Sequence, residues 1–494
     1  MHRITAQRTE HILRPNQRRV IAKPYLPGEE LIPGGDSRAG LLMERILAIP
    51  EADVPALVES VLSNFHGRHA EFESLLTHHY GLVAHHLESR ASTLSRERRL
   101  LIGAFYTHEY SIEGAALFNP SLVLSPDQKG VKSDEKRLIM SLRAVGEGHI
   151  SSIEFRTATI DAASTLTFEP LGAHTVTGHR TPPGAYDKMP FTTKLRELGA
   201  DNDIARGVLE RLSDSFTVVE LEQSLALLDY GGPPHAISFE TTKIIRLLAA
   251  SSYITTFPAS SQTSERVIFP AGPHETRGME DARFVRFVGD EGRVRYYATY
   301  TAYDGFEILP QLIETEDFLS FSISTLHGAA AQNKGMALFP RRIAGKYVML
   351  SRKDRENLHL STSTDVRSWD EVTLLDKPRA PWELVQIGNC GSPLETEAGW
   401  LVLTHGVGPM RRYVIGALLL DLEDPSRILG RLPYPLLEPN QSERDGYVPN
   451  VVYSCGAYIN ENELILPYGL SDGAIGISVV SVPELLAALI ANPD

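Results

Sequence analysis

The spacing of apolar residues along the chain changes near residue 115. Before it, SRAGLLMERILAI, DVPALVESVLSNF and FESLLTHHYGLVAHHLESR carry apolar side chains three and four positions apart. That spacing fits one face of a helix and predicts a helical N-terminal region over 1–115. Beyond it, segments of one design keep returning. They are RLIMSLRAVGEGHISSIEFRTATID, RVRYYATYTAYDG with FLSFSIST, GKYVMLSRKDRENLHLSTSTDVRSWD, GWLVLTHGVGPMRRYVIGALLLDLEDP and ELILPYGLSDGAIGISVVSV. Each reads as an apolar strand, a polar tip and a second, alternating strand.

The period of these copies is informative. Tyr300 and Arg352 lie 52 positions apart, and Arg352 and His405 lie 53 apart, a spacing suited to four-stranded propeller blades. Arg143 and Tyr300 are 157 apart, too far for one period, and between them TTKLRELGADNDIARGVLERLS and TTKIIRLLAA have helical spacing. The expected architecture is mainly β: a five-bladed β-propeller with a helical N-terminal region (1–115) and a helical insertion after blade 1. Blade 1 would occupy 116–182, the insertion 183–250, and blades 2–5 251–494.

One stretch concentrates charge where a strand begins. GMEDAR (278–283) sets Glu280, Asp281 and Arg283 before the apolar FVRF. A side-chain period of two puts Asp281 and Arg283 on one side of the strand and Glu280 on the other. Alone, this could be an exposed ion pair of small energetic worth. In a propeller, however, Arg143, Asp281, Arg283, Arg352, His405 and Asp472 fall at corresponding points of several blades and would converge on one central pocket.

Composition narrows the class of partner. Lys+Arg number 48 against 62 Asp+Glu, a net charge of −14, which disfavours a nucleic-acid or anionic-membrane surface. A small anion remains compatible, because it needs only a few local cations. Cys390 and Cys455 are the only cysteines, so no disulfide framework or Cys-rich zinc site is available, and a reducing compartment fits. The N-terminus is basic without an apolar segment after it, and no apolar run reaches membrane-spanning length. The expectation is a soluble, cytoplasmic protein. Histidines 66, 69, 78, 79, 85 and 86 crowd the helical region; without neighbouring Cys or a His-x3-His pair they read as solvated helix positions, not metal ligands. There is no GxxxxGK[ST] run, nor a GxGxxG opening a helix after a strand.

Ten motifs, in order, carry a family resemblance: FNPS (118–121), SLRAVG (141–146), GMEDAR (278–283), TYTAYDG (299–305), NKGMALFPRRI (333–343), MLSRK (349–353), THGV (404–407), LLLDLEDP (418–425), YVPNVVY (447–453) and PYGLSDG (467–473). Together they resemble glycoside hydrolase family 130, which includes mannoside phosphorylases and some β-mannosidases. The likeness spans about residues 116–485 and leaves out the N-terminal region and the insertion. It implies an inverting glycoside phosphorylase that transfers mannose from a β-mannoside or manno-oligosaccharide to inorganic phosphate, reversibly giving α-mannose 1-phosphate. Phosphate would be a co-substrate, and neither cofactor nor metal is implied. Asp281 falls at the family's general acid, with Ala282 where Pro is usual, a change that alters strand entry more than chemistry. Arg283 would position Asp281 or contact the sugar. Arg352, His405 and Tyr413 fall at phosphate-binding positions, where a planar guanidinium suits an oxyanion. The resemblance assigns sugar binding to Asn119, Ser121, Arg143, Asp304 and Asp472, with Tyr303 or Trp382 available for stacking and Glu443 near the cavity.

One departure stands out. Where the family's phosphorylases often carry Lys, this chain reads VQIG, and the neutral Gln386 adds no charge to the phosphate site. Lys334, Arg411 and Arg412 are the cations that could compensate. Gln386 favours a second reading, an inverting β-mannosidase that uses water, with Glu443 or Asp472 as base. Arg352 and His405, which the family's hydrolases generally lose, oppose it. A third reading is a non-catalytic carbohydrate-binding propeller. The insertion is expected to rim the cavity, to shorten the acceptor site or to form a homo-oligomer interface.

Overall fold

The computed structural model describes residues 3–27, 37–228 and 236–493. Parts of the expected N-terminal region (1–2 and 28–36) and insertion (229–235), together with Asp494, lie outside the described residues. The chain is mainly β and divides into two compact units. One is Asn16–Gly114 with Gly172–Thr177; the other is Met1–Pro15, Ala115–Leu171 and Gly178–Asp494.

The smaller unit holds the α-helices Arg38–Leu47, Val54–Phe65, Phe72–Val83 and Arg96–Phe105, with a two-stranded antiparallel sheet of Val20–Pro24 and Thr107–Ser111. Ser37 and Ser95 cap two of these helices by accepting from the Gly40 and Arg98 amides, which satisfies otherwise orphaned N–H groups. A Cβ on Gly103 would lie 2.0 Å from the Leu76 carbonyl oxygen, so two helices meet backbone to backbone there. Two histidines depart from the solvated reading. His69 and His79 are buried, against the Glu109 carboxylate at 2.8 Å and the Thr107 hydroxyl at 2.6 Å. Burial lowers His79 to about 4. The helix that carries His79 ends at Val83 and gives way to 3-10 turns.

In the larger unit the five repeats appear as successive antiparallel meanders. The leading strands are Ala116–Leu124, Gly278–Val288, Lys334–Leu338, Gln386–Asn389 and Val452–Tyr453. Their neighbours are Lys136–Val145, Val294–Tyr303, Tyr347–Arg352, Gly399–Val407 and Glu463–Leu470. The first two meanders join into a continuous sheet through one parallel pair, Gly278 with Ser151. Gly278 has φ +127, and a Cβ there would stand 2.3 Å from the Ser151 hydroxyl, so only glycine permits this approach. Between the first and second meanders lie the helices Lys188–Glu197, Asp203–Glu210, Val218–Ala226 and Ala236–Ala250. They close over their own core, which includes Phe191, Leu209, Phe216, Leu221 and Ile245.

Residues 1–115 are not helical throughout. Gln7–Leu13 is a strand that pairs antiparallel with Ala474–Ser481, the last strand of the fifth meander. The open edge of Ala474–Ser481 supplies its hydrogen bonds, and Arg8 binds Glu443 at 2.6 Å. A short polar edge strand needs no apolar period of its own, so none announced it. Among the described residues no helix is long and apolar enough to cross a membrane.

The segment entering GMEDAR is pinned by a buried carboxylate. Glu275 accepts from the Ala271 and Gly272 amides at 2.8 and 2.7 Å and from the hydroxyls of Tyr253 and Tyr300. Replacing Glu275 by Ala strands three buried donors, the Gly272 amide and the Tyr253 and Tyr300 hydroxyls, each costing roughly 1–3 kcal/mol when unpaired. Glu275→Ala is therefore expected to lower the urea unfolding midpoint of the larger unit clearly; an unchanged midpoint would show that the network contributes no net stability.

Candidate active site

The side chains at the ends of the leading and second strands surround a cavity of about 220 Å³. Asn119, Arg143, Asp281, Lys334, Arg352, His405, Tyr413 and Asp472 all line it, as do Glu280, Arg411, Val448, Val451 and Tyr453.

Asp281 sits at a β-bulge. Pairing with Val294–Tyr303 shifts register between Glu280 and Arg283, and Asp281 has φ +56. The extra residue cancels the period of two, so Glu280 and Asp281 do not fall on opposite faces as strict alternation requires. Both reach Arg143, whose guanidinium lies 2.8 Å from Glu280 Oε1 and 3.3 Å from Asp281 Oδ1. Asn119 Nδ2 donates to the same Asp281 oxygen at 2.6 Å. Asn119 is also left-handed, at φ +49, at a register shift between Phe118 and Ser121. Asp472 (φ +53) and Arg411 (φ +55) repeat the pattern. Four cavity residues of non-glycine type thus hold a backbone conformation that costs energy and clusters at functional sites.

Electrostatics separate the two aspartates. Burial opposes ionisation of Asp281, but Arg143, Arg283, the Asn119 hydrogen bond and Lys334 outweigh it and hold the carboxyl at about 2. Burial and the neighbouring Asp281 push Asp472 up to about 7, against Arg143 and Arg411. Glu280 bridges Arg143 and Lys334, whose Nζ lies 2.5 Å away.

Across the cavity, two glycines make room for Arg352. A Cβ on Gly388 would come within 2.3 Å of Arg352 Cδ and 2.6 Å of His405 Cε1, and one on Gly335 (φ +84) within 2.9 Å of Arg352 Nε. His405 Nδ1 lies 3.2 Å from the Asn389 carbonyl. That partner assigns the proton to Nδ1 and leaves Nε2 as acceptor for the Gln386 amide, 3.4 Å away. Burial and Arg352 hold His405 far below its ordinary range, so the ring is neutral. Tyr413 stacks parallel to it at 6.1 Å, and Tyr453 meets it edge-on at 4.9 Å.

Several expected residues stand elsewhere. Arg283 is 1% exposed and does not line the cavity; it donates to the Asp281 and Cys390 carbonyls and to the Tyr453 hydroxyl. Ser121 is buried and accepts from the Phe284 amide, linking the first two leading strands. Asp304 accepts from the Phe306 and Glu307 amides and shapes a turn. Glu443 holds Arg8 and the Tyr468 hydroxyl, and by accepting from the Asn440 amide it caps the turn there. Gln386 touches the cavity only through His405. Trp382 packs across Gly406 and Gly416, and the Tyr303 hydroxyl donates to the Gly305 carbonyl. Glu280 and Tyr453 were missed as cavity residues: strict alternation turned Glu280 away, and the YVPNVVY motif gave no sign of which tyrosine faces inward. Of the two tip arginines, Arg411 lines the cavity while Arg412 pairs with Glu438 at 2.9 Å. Among the described residues no cluster of His, Cys, Asp and Glu could hold a metal ion.

Comparisons with known proteins bear on the same segments. The glycoside hydrolase family 130 model, described as β-1,4-mannooligosaccharide phosphorylase, matches residues 256–490. A 1,2-β-oligomannan phosphorylase of Thermoanaerobacter sp. (strain X514) is 34% identical over 218 residues, covering 43% of this chain and 71% of the relative. A β-1,2-mannobiose phosphorylase of Listeria innocua serovar 6a is 33% identical over 229 residues, covering 45% of this chain and 63% of that one. The solved structure of the Listeria innocua β-1,2-mannobiose phosphorylase with β-1,2-mannobiose aligns over 78% of this chain and 94% of its own, with 22% identity and a TM-score of 0.45. On the strength of the identity shared with the Thermoanaerobacter relative over most of that protein, the chain belongs to glycoside hydrolase family 130.

Proposed function

We infer that this chain is an inverting mannoside phosphorylase, converting a β-mannoside and inorganic phosphate to α-mannose 1-phosphate and a shortened acceptor. The observation that carries the reading is the meeting, in one cavity, of a carboxylate cluster around Asp281 with an anion-suited wall of Arg352, His405 and Tyr413. Relatives named as phosphorylases support it. The five meanders, each giving the cavity a residue from its leading or second strand, support a five-bladed propeller over 116–182 and 251–494 with a helical insertion at 183–250. Two free, buried cysteines fit a cytoplasmic location.

The chemistry balances without another reactant. A phosphate oxygen attacks the anomeric carbon opposite the leaving group, the C1–O bond to the acceptor breaks, and the acceptor oxygen takes a proton. Hydrogen phosphate brings one proton that the mannose 1-phosphate dianion no longer carries, so the proton count closes. Asp281 acts as general acid, directly or through a sugar hydroxyl, as the family resemblance implies. In the ligand-free cavity it is ionised. A phosphate dianion arriving against Arg352 adds negative charge and draws a proton onto it, which couples acid and nucleophile. Asn119 and Arg143 orient Asp281, while Asp472, neutral below about 7, can donate to a sugar hydroxyl.

Hydrolysis is the reading that Asp472 would serve, as base for water. Glu443, the other base named for it, is already committed to Arg8 and Tyr468.

Product analysis with β-1,2- and β-1,4-linked mannobiose, with and without phosphate, decides between them. Mannose 1-phosphate formed only with phosphate is expected; free mannose formed equally well without it would overturn the phosphorylase. Asp281→Asn is expected to lower kcat by about 10²–10⁴-fold with the KM for phosphate retained. Near-normal turnover would remove Asp281 as the acid. Asp281→Asn also removes the negative charge that raises Asp472, so Asp472 should titrate below 7 in that variant. Infrared titration of the carboxyl stretch measures this, and an unmoved titration would break the coupling.

A further inference from the structure

We propose that Arg411 is a phosphate-holding residue, supplying from the Pro409–Arg411 tip the positive charge that Gln386 does not provide. The proposal rests on the phosphorylase reading and names the second cation of its nucleophile site.

Four cations line the cavity: Arg143, Lys334, Arg352 and Arg411. Two are already engaged, Arg143 with Glu280 and Asp281, and Lys334 with Glu280. Among the described residues no ion pair engages Arg352 or Arg411, and Arg352 Nε is buried without a hydrogen-bond partner. The cavity therefore holds two guanidinium groups outside any ion pair, although Arg411 is close enough to Asp472 to favour its ionisation; such planar donors suit a tetrahedral oxyanion.

The tip is built to present one of them. Met410 and Arg411 are consecutive left-handed residues, at φ +59 and +55. The turn is closed by the Gly408 amide donating to the Arg412 carbonyl at 3.0 Å and the Arg412 amide donating to the Pro409 carbonyl at 3.3 Å. The result sends three neighbours to different places. Met410 is 90% exposed, Arg412 pairs with Glu438, and Arg411 faces the cavity. Its guanidinium carbon lies 6.0 Å from the centre of the Tyr413 ring, and Tyr413 stacks on His405. Arg352 lies beside His405 across Gly388. Arg411, Tyr413, His405 and Arg352 thus follow one another along one wall. The Gln386 amide is occupied by His405 Nε2, so the charge absent at 386 is offered from the far side of Tyr413.

The test uses the full-length protein and inorganic phosphate, titrated calorimetrically into wild type, Arg411→Ala and Arg411→Lys, alongside steady-state KM values. Arg411→Ala is expected to weaken phosphate binding by about tenfold or more, the scale of a lost charge-assisted contact, with the KM for the mannoside little changed. Arg411→Lys should retain most of the affinity, and Gln386→Lys should restore part of it to Arg411→Ala. If wild type and Arg411→Ala bind phosphate equally, or if only the mannoside KM rises, Arg411 belongs to the sugar side and the proposal falls while the phosphorylase stands. A wild type that binds no phosphate overturns both. If Arg411→Ala does not fold, Arg411→Lys combined with Gln386→Lys carries the test, and phosphate affinity no higher than in Arg411→Lys alone overturns the assignment.

Discussion

The cavity depends on one buried guanidinium. Arg283 ties its own strand to the fourth and fifth meanders, donating to the Asp281 carbonyl, the Cys390 carbonyl and the Tyr453 hydroxyl at 2.9, 2.8 and 2.7 Å. Burial would lower its affinity for the proton, yet Tyr453, Cys455 and Asp281 raise it, so it stays charged. A charge so enclosed is tolerable only when its donors are satisfied. Removing one partner leaves the rest uncompensated, so the three meanders are fixed together where Asp281 leaves the strand.

That anchor makes the strained backbone next to it affordable. Asp281 is held left-handed between a hydrogen-bonded carbonyl and two flanking ladder pairs, and the bulge lets Glu280 and Asp281 both meet Arg143. Asn119, at a register shift, and Asp472, in the turn between Leu470 and Ala474, are left-handed too at the first and fifth meanders. A regular strand end would send alternate side chains to opposite faces. The irregular ones concentrate polar groups on one spot, and the surrounding sheets, rather than local propensity, bear the conformational cost.

The charges that result are unevenly committed, and this divides the cavity by role. Carboxylates and their cations neutralise one another around Asp281, while the opposite wall keeps guanidinium charge beside a neutral histidine. In the proposed reaction an incoming phosphate dianion would meet guanidinium charge outside any ion pair on one side and, on the other, a carboxyl whose proton affinity it would raise.

By itself the sequence determined the succession of elements and much of the chemistry. The apolar periods of RLIMSLRAVG or GWLVLTHGV mark strands because a half-buried sheet needs alternation, and the repeat of about 52 residues placed Arg143, Asp281, Arg283, Arg352, His405 and Asp472 at corresponding points. All of these but Arg283 line the cavity. What the period could not carry was any departure from it. Glu280 turns inward because of a bulge, Arg283, expected to position Asp281 or to contact the sugar, is a buried strut, and Ser121, Asp304 and Glu443 give their hydrogen bonds to the fold. Gln7–Leu13 becomes a strand only because the edge of Ala474–Ser481 receives it. Local pattern reports which residues alternate; bulges, left-handed positions and edge pairing are set by contacts between segments hundreds of residues apart, and only the tertiary structure decides those.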